Sequence, residues 1–442
     1  MIKSLLLVLV VSNTYGQNPI IRDQFSADPS ARVFGDKVYL FPSHDILATE
    51  GKGRVGWFCM EDYHVFSSIN LTDWTDHGPI VQQNKVPWVK PDSYSMWAPD
   101  CIEKNDKYYF YFPSIVKDSI TKAQGFTIGV AIADNPEGPY TTEFLPIEGV
   151  RGIDPNVFID KDRQAYLYWS QGNIFAAKLK DNMLELDSEV ITLGELPTKG
   201  LKEGPYLFER KGIYYLTYPH VENKIERLEY AISDNPLGPF KVSGVVMDES
   251  PSGCWTNHQS IIEFKNQWYL FYHHNDYSPN FDKARSVRAD SLNFNADGTI
   301  QKVIPTLRGI GITSATKEIQ IDRYSNVSEK GTSIAFIDTL DTFKGWKTVF
   351  NQSNGWVQYN SVDFGKKRLK SLIIKSKSNN GGTLEIRSNS LNGTVIAKVN
   401  IPKTDDWKEV KASLTTFKPD NQNLFIISKG DNETELDWIK FE

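Results

Sequence analysis

Lys202-Glu203-Gly204-Pro205-Tyr206-Leu207-Phe208-Glu209-Arg210-Lys211-Gly212-Ile213-Tyr214-Tyr215-Leu216-Thr217-Tyr218 reads as a β-hairpin with one buried face. An apolar run leads into a charged Lys-Gly turn and an aromatic run leads out, the pattern of two strands joined by a tight reversal. The same outline recurs four times. It returns at Asp28-Pro29 with Val38-Tyr39-Leu40-Phe41, at Ala98-Pro99-Asp100 with Tyr108-Tyr109-Phe110-Tyr111, at Asp154-Pro155 with Tyr166-Leu167-Tyr168-Trp169, and at Asn257-His258 with Trp268-Tyr269-Leu270-Phe271-Tyr272. The matching tyrosines Tyr39, Tyr109, Tyr166, Tyr215 and Tyr269 lie 70, 57, 49 and 54 residues apart. A second echo, Ile132-Ala133-Asp134-Asn135-Pro136-Glu137-Gly138-Pro139-Tyr140, returns two units later as Ile232-Ser233-Asp234-Asn235-Pro236-Leu237-Gly238-Pro239-Phe240. Repeats of roughly 40–50 residues with four strands each indicate a β-propeller. Five copies predict five blades.

The 442 residues are long for one domain. Eighteen of 20 tyrosines, 20 of 22 prolines and all 3 cysteines precede residue 318. Beyond it, short strands such as Leu372-Ile373-Ile374 and Leu424-Phe425-Ile426-Ile427 alternate with Asn/Gly turns, which indicates a β-sandwich. The expectation is therefore all-β: a five-bladed propeller over residues 17–317 and a jelly-roll-like sandwich over 318–442. A net charge of -6 with no Lys/Arg-rich block argues against a nucleic-acid partner. Residues 1–16 read as a secretory signal, with Lys3, an apolar run over 5–11 and Thr14-Tyr15-Gly16 before the cut. That run is shorter than the ~20 residues of a membrane span, so the expected location is secreted or periplasmic. Cys59, Cys101 and Cys254 are too scattered for a disulfide scaffold and are expected as free buried thiols.

Each hairpin's lead-in residue precedes the strand that lines a propeller's channel. Asp28, the Ala98-Pro99-Asp100 corner, Asp154, Glu203 and His258 should thus converge on one mouth of the cavity. Singly, each Asp-Pro is a turn residue. Together, three acids brought into one pocket from three blades oppose stable packing, because buried carboxylates raise one another's pKa. Such a set fits glycoside hydrolysis, in which one acid protonates the departing oxygen and a facing carboxylate activates water. Trp97, Phe34, Trp169 and Trp255, near the same positions, are the candidate sugar-stacking walls.

Ala27-Asp28-Pro29-Ser30, Trp97-Ala98-Pro99-Asp100, Gly152-Ile153-Asp154-Pro155 and Lys202-Glu203-Gly204-Pro205 resemble the motifs of family 43 glycoside hydrolases. The resemblance implies a five-bladed propeller that cleaves with inversion. It makes Asp28 the general base, Glu203 the general acid and Asp154 the residue that tunes and orients the acid. It also implies that Arg285 contacts the sugar and that His258 helps to hold a calcium ion with waters. Family members are mainly β-xylosidases, α-L-arabinofuranosidases or arabinanases, some acting on galactan. Long loops over 46–63 and 81–95 at the mouth favour exo action on a terminal pentose of an oligo- or polysaccharide. A galactan- or galactofuranoside-directed enzyme and a non-catalytic glycan-binding propeller are the alternatives. Ser43-His44-Asp45 reads as a surface loop, and His273 and His274, on opposite faces of a strand, receive no role.

Gly355-Trp356-Val357-Gln358-Tyr359, Asp406-Trp407 and Asp437-Trp438-Ile439 resemble family 6 carbohydrate-binding modules. Two positions depart from that pattern. Glu435-Leu436 stands where the family has a sugar-contacting asparagine, and Asp322 is nearest to its opening glutamate. Trp407 and Tyr359 are the stacking candidates if the module binds sugar; the alternative is a purely structural sandwich. The oligomeric state is left open.

Overall fold

The computed structural model describes residues 18–117, 125–417 and 419–442, and the expected signal segment lies outside the described residues. The opening stretch folds as the hairpin its sequence predicts. Tyr206–Arg210 pairs antiparallel with Ile213–Val221, with Arg210 opposite Ile213. Lys211 and Gly212 between them both take positive φ, 54° and 84°. That is the mirror-image turn whose twist matches its flanking strands. Asn105-Asp106 and Lys265-Asn266 make the same reversal in two other hairpins.

Residues 27–292 form five antiparallel sheets in chain order. The first holds Ala27–Phe34, Lys37–Ser43, Asp62–Ser68 and Thr75–Gln82. Asp100–Lys104, Lys107–Ile115, Phe126–Ala133 and Thr141–Thr142 make the second. Ile153–Ile159, Ala165–Ser170, Ile174–Leu179 and Ile191–Thr192 make the third. The fourth adds Glu226–Ser233 and Lys241–Met247 to the opening hairpin. The fifth has three strands, Ser260–Phe264, Gln267–His274 and Ser286–Leu292.

Neither face of any one sheet could stay dry alone, and each adjacent pair shares an apolar core. Tyr39, Phe41 and Tyr63 of the first sheet pack with Phe110 and Phe112 of the second. Further cores join the second to the third, the third to the fourth and the fourth to the fifth. Ile262, Phe264 and Phe271 of the fifth sheet then pack with Ala31, Val38 and Leu40 of the first. The first strands of the sheets touch in the same cyclic order, so the five close into a ring. Residues 18–26 tie the closure: the backbone N–H groups of Ile20 and Ser26 donate to Val287 O and Arg285 O, both at 2.9 Å. The Asn18 side chain adds bonds to Ala289 O and Asp290.

The C-terminal residues build two six-stranded sheets. Val357, Leu384 and Ile426 of one share a single core with Phe350, Ile374 and Ile439 of the other. Thr313–Ser314 already pairs with Val362 and Asp363, so these sheets recruit chain ahead of Glu318. Phe343 packs tilted on Phe25 and Trp346 stacks on Tyr277, at 4.8 and 4.9 Å between centroids, and these contacts join this part to the ring. No helix among the described residues is long and apolar enough to cross a membrane. The three cysteines are free and buried, as expected.

Candidate active site

The two Asp-Pro pairs sit in matching irregularities. In the first sheet the register jumps from Ala27↔Ser43 to Ser30↔Phe41. In the third it jumps from Asn156↔Tyr168 to Ile153↔Ser170. Asp28 and Asp154 each fall in the resulting bulge with φ of 45° and 58°. Proline has no N–H to withhold from a ladder, and a bulge re-aims the side chain it carries. Glu203 lies three residues ahead of the first strand of the fourth sheet, followed by Gly204 at φ 53°. All three acids line one cavity of about 160 Å³, with Ala98 and His258 completing the lead-ins of the five sheets. Trp57, Phe58 and Met60 reach it from the 46–63 loop. A second cavity, at the far ends of the same five strands, is lined by Phe34, Lys104, Ile159, Glu209 and Glu263.

Asp28 is gripped on both oxygens. Arg285 donates from Nη1 to Oδ1 at 2.8 Å and from Nη2 to Oδ2 at 3.1 Å, and Ser43 Oγ donates to Oδ2 at 2.5 Å. Asp45, also buried, holds the same guanidinium through Nε at 2.8 Å and Nη2 at 2.9 Å. The Asp28 N–H donates to His273 Nδ1 at 3.1 Å. That imidazole is therefore neutral with its proton on Nε2, facing Thr256 O at 3.1 Å, and burial holds its pKa down at about 3. Burial alone would raise the Asp28 pKa. Arg285 foremost, then His258 and the Ser43 hydroxyl, outweigh it and bring the pKa down to about 2.

The other acids are pushed the opposite way. Burial, then the charge of Glu203, lifts Asp154 to about 7 against the opposing effect of His258. Its Oδ2 accepts from Ser170 Oγ and from the Gly204 N–H, both at 3.0 Å, which fixes the backbone next to Glu203. Burial also raises Glu203, reinforced by Asp28 and opposed by Arg285 and by a hydrogen bond with Glu226. One pocket thus holds a carboxylate drawn below the ordinary range and two carboxyls lifted above it, the divergence of proton affinities that acid–base catalysis uses.

A sequence model of glycosyl hydrolases family 43 matches residues 16–300, and one of family 6 carbohydrate binding modules matches residues 325–442. The chain belongs to glycosyl hydrolase family 43. A xylosidase/arabinosidase 43A of Humicola insolens is 35% identical over 331 residues, covering 64% of this chain and 98% of that protein. An arabinoxylan arabinofuranohydrolase of Paenibacillus polymyxa is 26% identical over 474 residues, covering 95% of this chain and 73% of that protein. Among solved structures, a family 43 β-xylosidase/α-arabinofuranosidase from a compost microbial metagenome, a calcium-free form with xylotriose, has 33% identity and a TM-score of 0.58. That match covers 66% of this chain and 98% of the other.

In this family 43 hydrolase several residues lie elsewhere than their sequence suggested. Phe34 stands six residues along its strand from Asp28, about 20 Å away at the usual rise. It lines the opposite cavity and packs on Tyr39 and Tyr108. Trp169 is buried against Phe175, its Nε1 donating to Arg151 O at 2.9 Å, and presents no face to a sugar. Trp97 and Trp255 do line the pocket. Asp100 turns away and knots the first strands together, accepting from Ser30 Oγ at 2.6 Å, Arg32 Nε at 3.0 Å and the Val157 N–H at 2.7 Å. Ser43-His44-Asp45 is no surface loop, since Ser43 and Asp45 are buried in the grip on Asp28 and Arg285. Tyr359 is fully buried with its hydroxyl on Gln320 O, which removes it as a stacking platform; Trp407 stays half-exposed. Asp45, Glu226 and His273 are the site residues that sequence reasoning missed.

His258 lines the pocket but joins no group of three His, Cys, Asp or Glu donors among the described residues. Calcium takes six to eight oxygens, waters among them, so an ion beside His258 would draw most of its ligands from water, and no step is routed through a metal. The group of three that exists among the described residues, His44, Asp62 and His64, is already engaged in hydrogen bonds: His44 Nδ1 with Asp62 Oδ1 at 2.7 Å and His64 Nδ1 with Asp76 at 3.1 Å.

Proposed function

We propose that this glycoside hydrolase is a secreted, inverting exo-enzyme that releases a terminal pentose, β-xylose or α-L-arabinofuranose, from plant-type polysaccharide. Residues 17–317 are then a five-bladed propeller, a reading supported by the cyclic cores, and residues 318–442 a β-sandwich. The observation that carries the mechanism is the placement of Asp28 and Glu203 in one cavity with their proton affinities shifted in opposite directions. Glu203 gives its proton to the departing glycosidic oxygen as the C–O bond breaks. Asp28, kept ionised by Arg285, takes a proton from the water that attacks the anomeric carbon from the other face. Asp154 holds the Gly204 N–H and so the acid's position. A cavity of about 160 Å³ is well below the ~300–1,000 Å³ of sites for larger ligands, which supports a single terminal sugar unit. The match to family 6 carbohydrate binding modules supports a polymeric substrate.

The test is a panel of aryl pentosides and hexosides with the anomer of the first-formed product followed by NMR. Pentose release with inverted configuration is expected. Retention would remove the two-carboxylate mechanism. Galactofuranoside cleavage without pentose release would favour the alternative suggested by a β-D-galactofuranosidase of Aspergillus niger, 27% identical over 330 residues.

A further inference from the structure

A fourth carboxyl lies behind the acid. Glu226 opens the strand Glu226–Ser233 and is fully buried. Its own N–H donates to Trp255 O at 3.1 Å, and its Oε2 accepts the Asn257 N–H at 2.6 Å, so it is pinned to the segment that walls the pocket. Its Oε1 is buried and meets no donor. The Glu226 carboxyl is nevertheless in hydrogen-bond contact with that of Glu203. Two carboxyls bond each other only through a proton on one of them. A carboxylic acid whose carbonyl oxygen takes the Asn257 N–H, and whose hydroxyl oxygen accepts nothing, fits all three observations.

We infer that Glu226 is a permanently protonated positioning residue whose O–H donates to Glu203, fixing the rotamer of the proton donor and stabilising the carboxylate left after it gives up its proton. In the forward step the Glu203 O–H bond breaks and its proton passes to the glycosidic oxygen. The Glu226 proton stays on Glu226 and bonds to the new charge. The charged and titratable surroundings agree with a neutral Glu226. Asp154 and Glu203 face it with negative charge or competing protons, and burial with these neighbours drives its pKa well above the ordinary carboxyl range. Arg285 and Asp28 face Glu203 rather than Glu226, and His258 acts on Asp28 and Asp154. Arg227, the next residue on the strand, is held by Glu222 and Glu229. The contact lowers the Glu203 pKa, making it a stronger acid than burial alone would leave it.

The inference rests on Glu203 as the proton donor, and the test separates the two. Glu226→Gln keeps a neutral donor. Its amide oxygen takes the Asn257 N–H and its NH₂ points to Glu203, so the pH profile of kcat/KM should match the wild type. Glu226→Leu removes the donor: the basic limb should move to higher pH, and hydrolysis of unactivated xylo- or arabino-oligosaccharides should fall at least about tenfold. A dinitrophenyl glycoside, which leaves without protonation, should lose much less rate in the same variant than the oligosaccharides do, with unfolding monitored in parallel. A basic limb displaced to lower pH in Glu226→Gln would mean that a negative charge had been removed, and would overturn the inference. So would equal losses on both substrate types in Glu226→Leu, or no loss on either. Glu203→Ala run on the same two substrates reports on the donor itself, and equal losses there would sink that reading whatever Glu226 does.

Discussion

Asp28 and Asp154 have the same side chain, the same following proline and the same bulge, yet their neighbours drive them apart. Arg285 makes the difference, by bonding both oxygens of one and neither of the other. Replacing Asp28 or Glu203 by Ala should lower kcat on oligosaccharides by about 10²–10⁴-fold, the usual contribution of a positioned acid or base, with the circular dichroism spectrum unchanged. The same shifts set the stability profile. Asp28 falls from 3.8 to about 2, so its contribution is present above pH 3.8 and is lost as pH drops towards 2. Asp154 rises from 3.8 to about 7, so the folded protein holds a proton that the unfolded chain releases, and stability declines as pH climbs between those values. Asp154→Asn keeps an oxygen for Ser170 and Gly204 without the ionisation. Calorimetry should find it more heat-stable than wild type at pH 8 but no different at pH 4, and slower at both. A melting temperature at pH 8 equal to or below the wild-type value would contradict the assignment.

At the scale of the element, the bulge is what converts a strand end into a pocket group. Gly152 makes room for the one at Asp154: at φ 131°, a Cβ there would sit 2.1 Å from the Ser170 carbonyl oxygen. Gly152→Ala must displace one side of the bulge. A misplacement on the order of 1 Å in a catalytic constellation costs about 10²-fold in rate; kcat should fall by that order, read by steady-state kinetics, while substrate affinity changes less. The lead-in acids were legible in the sequence because Asp-Pro and Glu-Gly-Pro are local signals repeated in register with aromatic strands. The residues that govern them were not. His273 meets Asp28 across 245 residues, and Arg285 meets it across 257. No local pattern marks such a pair. Alternation placed His273 and His274 on opposite faces, yet it could not reveal which backbone N–H one of them would meet. Aromatic proximity in sequence misled at Phe34 and Trp169, because one residue along a strand reverses the face and six residues leave the mouth altogether.

For the whole molecule, the ring and the C-terminal sheets followed from periodicity and from the change in composition near residue 318. The closure did not, because residues 18–26 show no strand pattern and bond to the fifth sheet through backbone and Asn18. Deleting residues 18–25 should remove the Ile20 and Asn18 bonds to that sheet and uncover Val287 and Ala289. A drop in melting temperature of several degrees is expected, for bonds worth about 1 kcal/mol each plus the reopened apolar contact; an unchanged melting curve would show that the ring closes without them.

The position of Arg285 gives that closure a second meaning. It borders the last strand of the fifth sheet, and the two carboxylates it holds come from the first, so the grip on Asp28 forms only where the ring closes. A nascent chain that has completed four sheets carries all three acids but lacks the guanidinium that grips both oxygens of Asp28 and sets its orientation. Activity is therefore expected only once the fifth sheet is made, and a chain truncated after the fourth sheet should hydrolyse no aryl glycoside. On heating, the same seam acts as a fuse: activity should vanish at a lower temperature than the bulk β-signal, with the gap narrowing if the first and fifth sheets are cross-linked.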